Sequence, residues 1–213
     1  MNISKYKTLV FDCDGVVLNS NKVKTEAFYK AALPYGEDAA QQLVDYHIRR
    51  GGISRYEKFE WFVQSVVAGV VGPSLEQLLA IYAEEVSHGL LNCDIANDLK
   101  ELRQKTPDTN WLIVSGGDQS ELRTLFKQRG IAELFDGGIF GSPDSKNTIL
   151  EREIRKKNII TPALFIGDSK YDFHASSDSG LDFLFVYGWT EVYDWQGWVN
   201  EFNIKYINSI SSL

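Results

Sequence analysis

Four short apolar runs, Thr8–Phe11, Trp111–Ser115, Ala163–Ile166 and Phe183–Tyr187, constrain this chain more than anything else in it. They are rich in β-branched and aromatic residues and do not alternate with polar ones. Each therefore reads as a strand buried on both faces, the condition of a parallel sheet covered by helices. Helical patterns occupy the later intervals, from Asp118 to Arg129 with Gly130 as the stop, and from Asn147 to Lys157. Alternation of this kind builds a doubly wound, Rossmann-like α/β core.

One interval breaks the alternation. Between Asn19 and His88 there is no strand-like run, only the helical stretches Val23–Leu33, Glu37–Arg49, Arg55–Val67 and Leu75–Val86. Pro34-Tyr-Gly36, Gly51-Gly52 and Gly72-Pro73 divide them, and Ser74-Leu-Glu-Gln77 supplies a capping box for the last. The expectation is an all-helical cap over residues 19–88, inserted directly after the first strand, with residues 1–18 and 89–213 forming the catalytic core. In open parallel sheets the ligand crevice lies beyond the carboxyl ends of the strands, so a block inserted there stands over it.

Hydrophobic residues make up 44% of the 213, enough to fill a core, and no run approaches the roughly 18 apolar residues that cross a bilayer. Met1-Asn-Ile-Ser-Lys-Tyr-Lys7 has no apolar signal stretch. Cys13 and Cys93 lack metal-ligand spacing, and a domain of this size needs no disulfide staple. A cytoplasmic protein with reduced thiols is expected. The net charge of −7 has the wrong sign for nucleic acid or an anionic membrane as main partner. A small anion can still be held by a few basic groups, backbone N–H groups or a metal.

The strand ends carry the chemistry. Val10-Phe-Asp-Cys-Asp-Gly-Val17 presents Asp12 and Asp14 at the carboxyl edge of the sheet, with Gly15 permitting the turn that follows. Phe165-Ile-Gly-Asp-Ser-Lys-Tyr-Asp172 brings Asp168 and Asp172 to the end of another strand. A lone aspartate there is ordinarily a helix N-cap. Carboxylates converging from two strands, however, repel unless a cation compensates them, and an all-oxygen set suits Mg²⁺. A third strand ends in Ser115-Gly116-Gly117, a hydroxyl followed by backbone N–H groups able to approach an anion at the start of the next helix. Lys146 stands at a helix start, 22 positions before Asp168. Cys13 reads as filler: two flanking carboxylates raise a thiol's pKa, and on an extended segment its side chain points away from theirs. His47, His88 and His174 share no ligand spacing and read as incidental, and the aromatic tail around Trp189, Trp195 and Trp198 reads as packing.

Taken in order, Asp12-Cys-Asp14-Gly-Val, Ser115, Lys146 and Gly167-Asp168-Ser-Lys-Tyr-Asp172 resemble the four motifs of the haloacid dehalogenase-like hydrolase superfamily. The resemblance spans nearly the whole chain, and the helical block falls where that family inserts a cap. It implies a Mg²⁺-dependent phosphatase acting on a small phosphorylated metabolite, with sugar phosphates the best match. Asp12 would be the nucleophile that forms an aspartyl-phosphate, and Asp14 the general acid and base. Asp12, the Asp14 carbonyl and Asp168 would hold the metal, with Asp172 supporting them. Ser115, Gly116 and Lys146 would hold the phosphoryl oxygens. Lys146 and the metal would keep Asp12 ionised, leaving Asp14 able to keep a proton when needed.

Rivals within the resemblance are separable. Dehalogenases replace the acid at position 14, and a phosphonate hydrolase would use a cap lysine as a Schiff base, a part Lys24 could play. Sugar phosphomutases carry a cap loop like Arg50-Gly-Gly-Ile-Ser-Arg55, whose Arg55 could grip a distal phosphate, but they place a histidine where Lys24 falls. A receiver-type signalling domain is shorter and carries its acceptor on a later strand. A silent phospho-ligand-binding protein on the same fold would be expected to have lost a motif acid. Hydrolysis is the reading that remains, with Lys24 and Arg55 as substrate-binding candidates in the cap.

Overall fold

The computed structural model describes residues 2–213. Six strands, β1 (Thr8–Phe11), β2 (Asn110–Asp118), β3 (Gly138–Ser142), β4 (Ala163–Gly167), β5 (Asp182–Val186) and β6 (Lys205–Ile207), form one parallel sheet in the order β3-β2-β1-β4-β5-β6. The expected runs are β1, β2, β4 and β5. The two edge strands did not stand out in the sequence: β3 is Gly-Ile-Phe-Gly-Ser, and β6 is three residues with an exposed lysine and tyrosine.

Pleating sends alternate side chains to opposite faces. Leu9, Phe11, Trp111, Ile113, Leu164 and Ile166 enter the larger core on one face. Val10, Leu112, Val114 and Phe165 enter a second core on the other. Helices α5 (Leu99–Lys105) and α6 (Gln119–Gln128) cover the first face through Leu99, Leu122 and Phe126. Helices α7 (Lys146–Arg155) and α8 (Lys170–Asp178) cover the second through Ile149, Leu150 and Ala175. The chain is thus a doubly wound α/β fold. At the β5 side, the short helix α9 (Trp195–Glu201) buries Trp198 against Phe185, while Trp195 stacks on Tyr187 at 4.5 Å.

Between β1 and β2 the chain forms α1 (Asn21–Ala32), α2 (Glu37–Arg49), α3 (Arg55–Trp61), which continues as a π-helical turn over Phe62–Val66, and α4 (Leu75–Asn92). Ser74 and Gln77 make the capping box reciprocally. Phe28, Phe59 and Tyr82, from α1, α3 and α4, pack on one another with ring centroids 4.4–5.8 Å apart. Helix α4 passes His88 and ends at Asn92. The paths into and out of this helical block are tied together, Asn19 N–H donating to the Asp94 carbonyl and Ala96 N–H to that of Val17, each at 2.9 Å.

Candidate active site

Asp12 follows β1 at the point where the sheet order reverses, between β1 and β4. It is 3% exposed; one oxygen accepts the Cys13 N–H at 2.7 Å and the other meets the Lys146 ammonium at 2.9 Å. Lys146 is held there because Ser145 caps α7, accepting the Thr148 N–H, and so fixes the first residue of the helix. The same ammonium donates to Asp172 Oδ1 at 2.5 Å. The other oxygen of Asp172 accepts the Asp168 and Ser169 N–H groups and the Ser169 hydroxyl in a capping box. The helix cap at this strand end is Ser169, whose hydroxyl accepts the Asp172 N–H, with Asp172 bonding back as its partner in the box. Asp168 is left to line the cleft, where it accepts the Asn21 amide at 2.7 Å.

One carboxylate oxygen each of Asp12, Asp168 and Asp172 lies within 4.8 Å of the others. Burial raises the Asp12 carboxyl to about 7 against the pull of Lys146, with Asp172 and Asp14 adding to the rise. Burial, then Asp12 and Asp172, push Asp168 well above the usual range. Lys146 is raised despite burial by the same two partners, Asp12 and Asp172. One ammonium is insufficient for this much buried negative charge, and an all-oxygen set short of positive charge fits a hard divalent cation such as Mg²⁺. Gly15 is required beside it: its φ is +73°, and a Cβ there would stand 2.0 Å from Asp168 Oδ2.

The expected division of protons counts the charge of a metal; the protein groups by themselves act on the first two aspartates differently. Burial alone would raise Asp14, but the Lys24 ammonium at 2.5 Å and the Ser20 hydroxyl at 2.5 Å outweigh it and hold the carboxyl below its ordinary value. Protein groups by themselves thus raise Asp12 and lower Asp14. Lys24 is correspondingly raised, Asp14 outweighing burial, so it is no free amine for a Schiff base. Cys13 is fully buried in the apolar core, and burial followed by the Asp14 charge lifts its thiol far from thiolate formation.

Lys24 and Arg55 both line the cleft, but neither offers a free charge to a ligand. Lys24 is matched to Asp14, and the Arg55 guanidinium reaches Glu121 on α6 at 2.5 Å. Tyr56, beside it, donates to Asp118 at 2.9 Å. The loop before α3 also closes on the core: a Cβ on Gly116 would lie 2.3 Å from the Gly52 carbonyl. Gly116 and Gly117 are not at a helix start as expected. Asp118 caps α6 by accepting the Glu121 N–H, so the helix begins at Gln119 and the glycines form the irregular end of β2. Ser115 is fully buried, its hydroxyl accepting the Gly117 N–H at 3.1 Å.

Several cleft residues carried no signal in the sequence. Asn21 joins the Asp168 carboxylate to the Trp189 carbonyl, and Thr190 donates to the Asp168 carbonyl at 2.6 Å. Lys58 and His47, read as a helix residue and an incidental histidine, are buried and touch at 2.7 Å inside the same cleft. A helical plot placing Lys58 on the buried face of α3 with Phe59 was the available clue.

The profile of the haloacid dehalogenase-like hydrolases matches residues 6–180. No curated protein matches the chain. Among solved structures, a provisionally assigned haloacid dehalogenase-like hydrolase of Bacteroides fragilis superposes with a TM-score of 0.72 at 20% identity, covering 98% of this chain and 99% of that one. A provisionally assigned phosphoglycolate phosphatase of Lactobacillus plantarum gives 0.70 at 17%, covering 96% of each. A provisionally assigned beta-phosphoglucomutase of Thermotoga maritima gives 0.59 at 19%, covering 84% and 85%. With a family profile matched along most of its length and the acidic strand ends of β1 and β4 in one cleft, the chain belongs to the haloacid dehalogenase-like hydrolases.

Proposed function

We propose that the protein is a Mg²⁺-dependent phosphatase that hydrolyses a small phosphorylated metabolite, a sugar phosphate by preference, through an aspartyl-phosphate at Asp12. The observation that carries this reading is the meeting of Asp12, Asp168 and Asp172 around one buried lysine, with Asp14 in the same cleft. Asp12, Asp168 and the Asp14 carbonyl would hold the metal, which neutralises the carboxylates and the phosphoryl oxygens when bound. An Asp12 oxygen attacks phosphorus and the bond to the leaving oxygen breaks. Asp14, with Lys24 held against it at 2.5 Å, would give a proton to the leaving oxygen and take one from the water that then cleaves the acyl-phosphate. Lys146 balances the charge on Asp12 and on the transferring group, with the Ser115 hydroxyl and the Gly116 backbone as further donors.

We assign α1–α4 as the cap, residues 19–88 with the tail of α4 to Asn92, closing over the substrate through Arg55–Glu121 and Tyr56–Asp118 and opening to exchange ligands. Reaction in the cytoplasm fits the reduced thiols; among the described residues no helix is long and apolar enough to cross a membrane.

A sugar phosphomutase is the second reading, favoured by Arg55 in the cleft and by the likeness to the Thermotoga maritima protein. Lys24, contacting Asp14 where mutases carry a histidine, weighs against it. The test is phosphate release from a panel of sugar phosphates and nucleotides, with Mg²⁺ and with chelator. Metal-dependent release of free phosphate is expected. Turnover indifferent to chelator would refute the proposal, and conversion of a hexose 1-phosphate to its 6-phosphate without free phosphate would install the mutase.

A further inference from the structure

The basic side chains of the cleft are matched to carboxylates with one exception. Lys24 meets Asp14, Arg55 meets Glu121, and Lys146 meets Asp12 and Asp172. Lys58 is 2% exposed and lines the same cleft, yet among the described residues no carboxylate comes within ion-pair distance of its ammonium. Its hydrogen-bond partner is Nδ1 of His47, across from α3 on α2, at 2.7 Å.

His47 is 8% exposed and packs on Phe28. Burial, reinforced by the charges of Lys58 and Lys24, keeps its imidazole neutral. With Lys58 donating to Nδ1 as an ammonium, the neutral ring carries its proton on Nε2. That N–H has no partner: the Glu191 carboxylate stands 3.9 Å away, beyond hydrogen-bond reach, and is engaged by the Thr25 hydroxyl at 2.9 Å. The cap side of the cleft therefore holds a buried lysine with no carboxylate within ion-pair distance and a buried N–H without an acceptor. Each is costly unless a ligand completes it. Desolvation and the nearby Lys24 push the Lys58 amine down to about 7, so an arriving anion would restore its charge.

We propose that Lys58 and His47 form a subsite for a second anionic group, a carboxylate or a phosphate, carried by the leaving group of a phosphomonoester whose phosphoryl end lies at Asp12. The inference rests on the phosphatase reading and adds to it the chemical class of the substrate. An anion is favoured over a sugar hydroxyl because the unmet group is a cation and both orphan groups are donors. Glu191 provides an internal discriminator, since its carboxylate repels an anion at Lys58 but would accept from a hydroxyl.

The test is calorimetric binding to the Asp12→Asn protein with Mg²⁺, using two matched pairs: 3-phosphoglycerate against glycerol 3-phosphate, and fructose 1,6-bisphosphate against fructose 6-phosphate. One pair is expected to favour its doubly anionic member by about 10- to 100-fold, the worth of a charge-assisted hydrogen bond, and which pair it is tells carboxylate from phosphate. Adding Lys58→Met should bring that ratio to within about threefold of unity, Lys58→Arg should recover part of it, and Glu191→Gln should preserve or increase it. His47→Asn, which keeps an acceptor near Nδ1 and removes the Nε2 donor, should lower the ratio several-fold and serves if Lys58→Met does not fold. Equal binding within both pairs would overturn the subsite, as would a Lys58→Met variant that weakens both members alike or a Glu191→Gln variant that loses the ratio. Phosphate release by the unmutated protein separates the two claims: a binding ratio without turnover sinks the phosphatase and spares the subsite, and turnover without a ratio does the reverse.

Discussion

At the floor of the cleft Asp12 and Asp172 share the single ammonium of Lys146 while Asp168 stands close by, whereas at the roof the Lys58 ammonium meets no carboxylate and His47 offers a proton to nothing. Both arrangements are buried and both cost stability, but their deficits are opposite. The floor lacks positive charge, and raised carboxyl groups report it; the roof lacks an acceptor, and a depressed lysine reports it. A fold selected for stability alone would pair the two walls with each other. Held apart on a sheet edge and a helical block, they fit what the proposed reading puts between them: a divalent cation below and a ligand with acceptors at both ends.

The comparison can be broken first at the floor. Lys146→Met leaves buried carboxylates with no compensating charge, and in chelator the variant should lose about 3–5 kcal/mol of stability. Urea unfolding measures this, and a loss below about 1 kcal/mol would mean that the carboxylates are protonated and need no partner. Turnover should fall in parallel by at least about 100-fold.

The roof answers to pH. Unfolded, Lys58 titrates near its usual 10.5, and folded near about 7. Between those values the unfolded chain holds a proton that the folded chain has released, so this group makes stability rise with pH across the window; below it both states are protonated and its contribution is flat and least favourable. Lys58→Met should therefore be more stable than the unmutated protein at pH 7, by roughly 2–5 kcal/mol, and the gap should narrow towards pH 10. A gap that stays constant between pH 7 and 9.5 would show that Lys58 keeps its ammonium on folding.

The smallest effect is expected between the two regions, at Cys13. Its thiol is buried in the apolar core and far from ionisation. Cys13→Ala should cost about 1 kcal/mol in packing and leave turnover within a factor of two. A large loss of turnover would reassign the motif's chemistry.

How much of this was readable before the fold was known follows the same divide. The floor is written in short stretches: β1 and β4 announce themselves as apolar runs, and Asp12, Asp14, Asp168 and Asp172 follow them directly, so local order places them on one edge. Even there the helix that begins at Gln119 rather than at the glycines depended on which residue, Asp118, takes the cap. The roof is not local. His47 and Lys58 belong to different helices, and nothing in either stretch says that α2 and α3 cross at these two residues. Lys24 and Arg55 were legible as cleft residues but not as residues already matched, because Asp14 and Glu121 approach them only through tertiary packing. Strands β3 and β6 were lost for a simpler reason, being glycine-rich or too short to carry a hydrophobic pattern.

The central claim is that Asp12, poised over Lys146 and beside Asp168, takes the phosphoryl group. Rapid acid quench of the protein with Mg²⁺ and a ³²P-labelled phosphomonoester from the panel that it turns over, followed by peptide mapping, tests it directly. The account predicts a transient label on the peptide containing Asp12, released by hydroxylamine as an acyl-phosphate is, and absent in Asp12→Asn. Turnover without any label at that peptide, or an Asp12→Asn protein that still releases phosphate at the unmutated rate, would contradict it.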